Sequence, residues 1–304
     1  MQKRKWYGIL ILIVCSCNPA AKKDYSWQPP DTGQIPATDK GRLIRYGRDL
    51  IVNTSSYLGP KGIRAAISNG MNCQNCHLEA GTKPWGNNYS GVFSTYPKYR
   101  DRSGSVEDIH RRVNDCIERS LNGQPLDTNS LEMKAITAYV LWLGKDVPKG
   151  VKPRAVGIRD LPWLSRAADP EKGRIVYQWF CRRCHGEQGN GLFNADSSGY
   201  KYPPLWGEKS YNTGAGLYRL SRLAGYIKDN MPQGYTHENP LLNDEEAWDV
   251  AAFISSRPRP EKPFPKDWPD ITRKPLDHPF GPYSDSFPAR QHKLGPFEPI
   301  RHAH

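Results

Sequence analysis

Hydrophobic residues make up only 37% of this 304-residue chain, and long apolar runs are missing. The stretch from Trp6 to Val14 is too short to span a bilayer stably, so nothing in the sequence reads as a membrane-embedded core. Gly and Pro number 27 each, which interrupts regular elements and leaves much of the chain to loops and turns. Methionine is scarce, at four residues. Blocks of like charge are also missing: the formal net charge is +12, but Arg and Lys are scattered along the chain. That pattern speaks against nucleic acid as a partner and fits attraction of small anions or of an acidic protein.

What is present begins with an export signal. "MQKRKWYGILILIVCSC" joins basic residues to an apolar stretch and then to small residues, a secretory leader over residues 1–17. "VCSC" has the pattern of a lipoprotein cleavage site, so the mature chain is expected to start at Cys17, to carry lipid there, and to work at a membrane in the periplasm or another extracytoplasmic space. Ordinary cleavage near Ala20 and Ala21 is the alternative.

Cysteine is used in a restricted way: of seven in the chain, Cys15 and Cys17 lie in the leader. Four of the remaining five fall into "CQNCH" (73–77) and "CRRCH" (181–185). C-x-x-C-H is the attachment signature of c-type haem: two thiols add to the vinyl groups and the next residue places an imidazole on the iron. Two covalently attached c-type haems are therefore expected, on Cys73 and Cys76 and on Cys181 and Cys184, with His77 and His185 as axial ligands. A zinc site does not demand histidine directly after each pair, and a thioredoxin-like site would use one motif, without it.

The surroundings of the second motif read as a helix started by Asp169 with Pro170, with Gly173 and Tyr177 on one face. A glycine-rich turn, "GEQGNG", follows the motif, and then a helix capped by Asn243 and Glu246. This order resembles a cytochrome c domain over residues 169–257. The first half repeats it over 39–145, with "KGRLIRYGRDLI" ahead of Cys73 and "LEMKAITAYVLWL" behind. Residues 18–38 and 146–168 read as linkers, and the Pro-rich segment 258–304 as an extended tail packing through its aromatics. The expected fold class is all-α: two tandem cytochrome c-type domains and the tail.

Each iron keeps one position whose occupant sets its chemistry. For the second haem, Met231 in "NMPQG" is the candidate, with His237 or Lys228 as alternatives. In the first half, Met133 recurs with Ile136, Val140 and Leu143 on one helix face and reads as core. Cys116, in "SVEDIHRRVNDCIERSL", shares an inward face with Ile109, Val113 and Ile117, on a helix that the sequence starts at Ser105. An unpaired thiol in an oxidising compartment is a liability unless bound or used, so Cys116 is read as a thiolate ligand of the first haem. Arg112 lies one turn before it, and Arg100 and Arg102 just ahead of the helix, together enough cation for an oxyanion pocket.

The stretches "CQNCHLEAGTKPWG", "TYPKYRDRSGSVEDIHRRVNDCIERSLNG", "MKAITAYVLWL", "KYPPLWGEKSYNTGAG" and "NMPQG" together resemble the dihaem thiosulfate dehydrogenases, from about Gly41 to Ser255. The resemblance implies oxidation of two thiosulfates to tetrathionate, with electrons leaving to an external cytochrome or similar acceptor. By similarity, His77 and Cys116 would ligate the first haem and His185 and Met231 the second. Arg102 and Arg112 would line the substrate site, with Cys116 as the catalytic sulfur. Some relatives carry lysine directly before the methionine and exchange ligands on reduction. Here Asn230 stands there, which favours a fixed His/Met pair. Two other readings stay open: a non-catalytic dihaem electron carrier, and a partner-dependent cytochrome that conjugates thiosulfate to a carrier protein. The direction of the reaction is also open.

Overall fold

The computed structural model describes residues 25–303, so the leader and Cys17 lie outside the described residues. The first half contains Asp39–Val52 (α1), Thr54–Leu58 (α2), the single turns Leu78–Gly81 (α3) and Val92–Thr95 (α4), Ile109–Arg119 (α5) and Leu131–Leu143 (α6). The second contains Pro170–Phe180 (α7), Arg182–His185 (α8), Leu220–Asn230 (α9) and Asp244–Ser255 (α10). Among the described residues no helix is long and apolar enough to cross a membrane.

Two small antiparallel hairpins make the fold mostly helical rather than purely so. Lys98–Arg100 (β1) pairs with Ser105–Glu107 (β2), and Leu192–Phe193 (β3) pairs with Tyr200–Tyr202 (β4). The first corrects the expected helix start. Ser105 to Glu107 are extended, and α5 begins one residue after Asp108, whose carboxylate accepts the Arg111 N–H at 2.8 Å. Asp108 thus caps the helix rather than supplying its third residue, because the hairpin holds the preceding backbone out of the helical region.

Both halves use one device to bring their first and last helices together. In α1, a Cβ added at Gly47 would sit 1.9 Å from the Ala135 carbonyl oxygen of α6; in α7, one at Gly173 would sit 1.9 Å from the Asp249 carbonyl oxygen of α10. Only glycine lets the backbones cross this closely. Around each crossing lies a separate core. Ile44, Leu50, Ile51, Ile136, Tyr139 and Val140 fill the first, and Tyr177, Leu223, Trp248, Val250, Phe253 and Ile254 the second. Met133 is fully buried in α6, as its spacing with Ile136, Val140 and Leu143 predicts. The Asn243–Glu246 capping pair starts α10 through bonds of 2.8 and 2.9 Å.

A third cluster, Met71, Ile117, Leu121, Tyr200, Tyr211 and Ala215, draws on both halves and welds them. Polar bonds flank it: the Asn212 amide donates to the Glu118 carbonyl at 2.8 Å, and the Tyr226 hydroxyl of α9 donates to the Asn75 carbonyl, inside the first cysteine motif, at 2.9 Å. Residues 25–38 and 146–168 pack as well; the Trp27 indole donates to the Leu143 carbonyl at 3.1 Å, and Leu161 and Ala168 are buried.

Past Arg257 the chain runs mostly irregular, as its prolines require, but it closes with two short helices that the extended reading did not anticipate, Ala289–Leu294 (α11) and Glu298–Ala303 (α12). The gap between Pro288 and Pro296 is just long enough for the first. Phe297 and Ile300 insert into the second core. Asp277 is buried and accepts the Ser221 N–H at 3.1 Å, so the tail caps α9, whose own N-cap residue, Arg219, makes no side-chain cap.

The glycine crossings predict that Gly173→Ala destabilises the protein by about 2–3 kcal/mol, since a methyl group facing backbone cannot be relieved by a rotamer change. Thermal or denaturant unfolding checks this; an unchanged midpoint would mean the helices slide apart without cost.

Candidate functional site

The first Cys-x-x-Cys-His turn is shaped by its neighbours before any side chain reaches the interior. The Cys73 N–H donates to the Thr54 hydroxyl at 2.9 Å, Asn72 and Asn75 close a capping box, and the His77 N–H bonds the Cys73 carbonyl at 3.0 Å. Cys73, Cys76 and His77 line a cavity of about 420 Å³. Burial pushes the Cys73 thiol up to about 11 and the Cys76 thiol up to about 12.

His77 and His185 are oriented in the same way. The Nδ1 of His77 lies 2.6 Å from the Asn87 carbonyl oxygen, and that of His185 lies 2.8 Å from the Pro203 carbonyl oxygen. A carbonyl only accepts, so Nδ1 carries the proton in both rings and Nε2 keeps its lone pair. Near His77 Nε2, the Asn87 amide stands at the limit of reach, 3.5 Å. Burial lowers both imidazoles, His77 to about 4, which holds them neutral. A neutral imidazole fixed through its second nitrogen is what a metal-ligating histidine requires. Tyr89 stacks on His77 at 4.4 Å between ring centroids and further fixes the plane. With the cysteine pairs beside them, these residues fit c-type haem.

Cys116 lines the same cavity as His77. So do Arg102 and Arg112, and proximity to the Cys116 sulfur is the main influence raising the proton affinity of Arg112. The cavity also carries cations that sequence reading missed: Arg119, Arg219 and Arg222, with Lys98 and Lys152 exposed at its rim. Arg119 had a signal, because 112, 116 and 119 share one face of α5. Arg219 had none, since it comes from the other half of the molecule.

Pairing separates these cations into two groups. Arg119 is held by Asp267 at 2.7 Å, Arg222 by Asp160 at 2.8 Å, and the Arg219 Nε by Asp277 at 2.9 Å. Arg102 and Arg112 form no ion pair among the described residues. Arg102 donates to the Gly214 carbonyl at 3.2 Å and lies over the Trp268 ring at 5.5 Å; burial, with Arg119 nearby, lowers it to about 10. Among the arginines of the cavity, the positive charge left without a carboxylate partner therefore sits at Arg102 and at Arg112, the latter beside Cys116; Lys98 and Lys152 at the rim likewise form no ion pair among the described residues.

In the second half, Cys181 and Met231 pack on the same hydrophobic core, Met231 at the C-terminal end of α9. Lys228, an alternative ligand, is engaged elsewhere: its ammonium donates to the Leu242 carbonyl at 2.7 Å and pairs with Asp244 at 2.9 Å. Asn230 is buried and its amide donates to the Trp85 carbonyl at 3.1 Å, tying the residue before Met231 to the first half.

Two family models match the chain: "SoxA/TsdA, cytochrome c domain" over residues 64–148, and "Cytochrome C oxidase, cbb3-type, subunit III" over residues 168–254. The thiosulfate dehydrogenase of Stutzerimonas stutzeri is 37% identical over 78% of this chain and 74% of its own length. That of Allochromatium vinosum is 38% identical over 76% of this chain and 83% of its own. Among solved structures, the thiosulfate dehydrogenase (TsdBA) of Marichromatium purpuratum superposes with a TM-score of 0.73 at 29% identity, over 85% of this chain. This chain spans about half of that longer one, 54%.

The indole behind Arg102 is itself held, its N–H donating to His278 Nε2 at 3.1 Å. Burial, then Lys274, lowers His278 to about 4. Between an unfolded value near 6.5 and this folded one, the unfolded chain binds the extra proton, so stability falls as pH drops across that window. His278→Gln is expected to flatten this part of the melting temperature's dependence on pH; an identical profile in the variant would contradict the assignment.

Proposed function

Because this chain belongs to the thiosulfate dehydrogenase family, we propose that it oxidises two thiosulfates to tetrathionate at Cys116 and passes two electrons to an external cytochrome or similar acceptor. The observation that carries this is the pairing of a cavity thiol with two arginines, Arg102 and Arg112, that lack carboxylate partners among the described residues. A pocket of this kind selects a small dianion and brings it to sulfur.

Two c-type haems would be held by Cys73 and Cys76 with His77 and Cys116, and by Cys181 and Cys184 with His185 and Met231; when bound, they supply irons that each take up one electron. Arg102 and Arg112 bind the sulfonate end of the first thiosulfate and turn its sulfane sulfur toward Cys116. A sulfur–sulfur bond to the Cys116 thiolate forms as two electrons leave, giving a cysteine S-thiosulfonate. The sulfane sulfur of a second thiosulfate then attacks the sulfur attached to Cys116. Tetrathionate departs and the thiolate returns, so atoms and charge balance. The Asn87 and Pro203 carbonyls keep the protons of His77 and His185 on Nδ1 throughout. Residues 39–145 would form the catalytic domain and 169–257 the electron-transfer domain, exported to the periplasm and tethered through lipid on Cys17.

The test is to add thiosulfate, without oxygen, to the oxidised haem-loaded protein and to follow the haem absorption bands together with tetrathionate. Reduction matched by tetrathionate is expected, with turnover in Cys116→Ala lower by on the order of 10³-fold or more. Full turnover in that variant would refute the scheme. Arg112→Leu is expected to raise the thiosulfate KM by about 10–100-fold, the range of a lost charge-assisted hydrogen bond.

A further inference from the structure

Three of the arginines that line the Cys116 cavity are gripped by the C-terminal segment. Asp267 holds Arg119 through two parallel bonds, Nη1 to Oδ2 at 2.7 Å and Nη2 to Oδ1 at 2.8 Å. The Trp268 ring lies under the Arg102 guanidinium, and its backbone N–H donates to the Arg102 carbonyl at 2.7 Å, fixing both ends of that residue. Asp277, buried, takes the Arg219 Nε–H at 2.9 Å and also caps α9.

The grip is built rather than incidental. Phe264 stacks on the Arg119 guanidinium at 3.7 Å, Lys262 donates to the Gly123 carbonyl at 2.8 Å, and His278 holds the Trp268 indole from behind. Both halves have made room for the segment as well. At Gly104, where φ is +61°, a Cβ would meet Pro269 at 2.6 Å; at Gly214 it would meet the Phe264 ring at 2.3 Å. Residues that cradle Arg102 and Arg119 therefore come from a segment that neither family match reaches.

We propose that Asp267 and Trp268 are positioning residues for the thiosulfate site, a role that rests on the function proposed above. Asp267, together with Asp115 of α5 at 3.7 Å, neutralises Arg119, and its two parallel bonds hold the guanidinium against the wall. Trp268 supports Arg102 with an aromatic face, which orients the guanidinium without cancelling its charge. The segment thereby decides which arginines are left to meet the anion.

The experiment compares haem-loaded wild type, Asp267→Asn, Trp268→Leu and Trp268→Phe for thiosulfate KM, kcat and melting temperature. Trp268→Leu removes the π-face and is expected to raise KM about tenfold with kcat within about twofold, Trp268→Phe keeps an aromatic face and should restore most of the affinity, and Asp267→Asn, which takes a carboxylate away from an anion site, is expected to lower KM about threefold. A segment that only stabilises the fold would lower the melting temperature in all three and leave KM at the wild-type value, which would overturn the proposal. If wild type itself does not turn over thiosulfate, the functional reading fails and this role falls with it. Normal wild-type turnover with unshifted KM in the variants sinks the positioning role alone.

Discussion

Positive charge held without a counterion beside a cavity sulfur is the constraint on which the rest of this structure depends. Guanidinium groups taken out of water cost several kcal/mol unless something compensates them, and folded proteins normally supply a carboxylate. Here carboxylates are supplied to Arg119, Arg219 and Arg222 but not to Arg102 or Arg112. The hairpin β1–β2 presents Arg102, α5 presents Arg112 and Cys116, the second half adds Arg219, and the tail sets the balance. No single element could make this arrangement alone, which accounts for the tight joining of the two halves.

The two halves share a plan and differ where chemistry requires it. Each crosses its first and last helices at a glycine, and each fixes its motif histidine through a backbone carbonyl. They diverge on the opposite side. In the first half the charged face of α5 brings sulfur and arginine to the cavity, whereas in the second the end of α9 offers a thioether among apolar side chains. A polar site with a thiol suits substrate chemistry, and an apolar one with methionine suits a haem that only exchanges electrons. α9 ties the two together, since Tyr226 bonds within the first motif five residues before Met231.

Much of this was legible in the sequence because it is local. The two C-x-x-C-H runs, the Asp169 and Asn243 caps, the core stripe of α6 and the shared face of Arg112 and Cys116 all depend on spacing within a turn or two. The start of α5 was misplaced because the Ser105–Asp108 spacing imitates a capping box while a hairpin, a nonlocal pairing, claims those residues. The short tail helices were missed because proline density hides the gap between Pro288 and Pro296. Arg219, Asp267 and Asp277 carry no local mark at all. Their roles arise from contacts between segments far apart in the chain, which spacing within a turn or two does not reveal.

The most direct test of the central claim is where the anion goes. Crystals of the haem-loaded protein soaked with thiosulfate, measured at a wavelength where sulfur scatters anomalously, would locate its two sulfurs. The account predicts the sulfonate sulfur between Arg102 and Arg112 and the sulfane sulfur beside Cys116 Sγ. Anion density at Arg119, Arg219 or Arg222 instead, with the space between Arg102 and Arg112 filled by water, would contradict it.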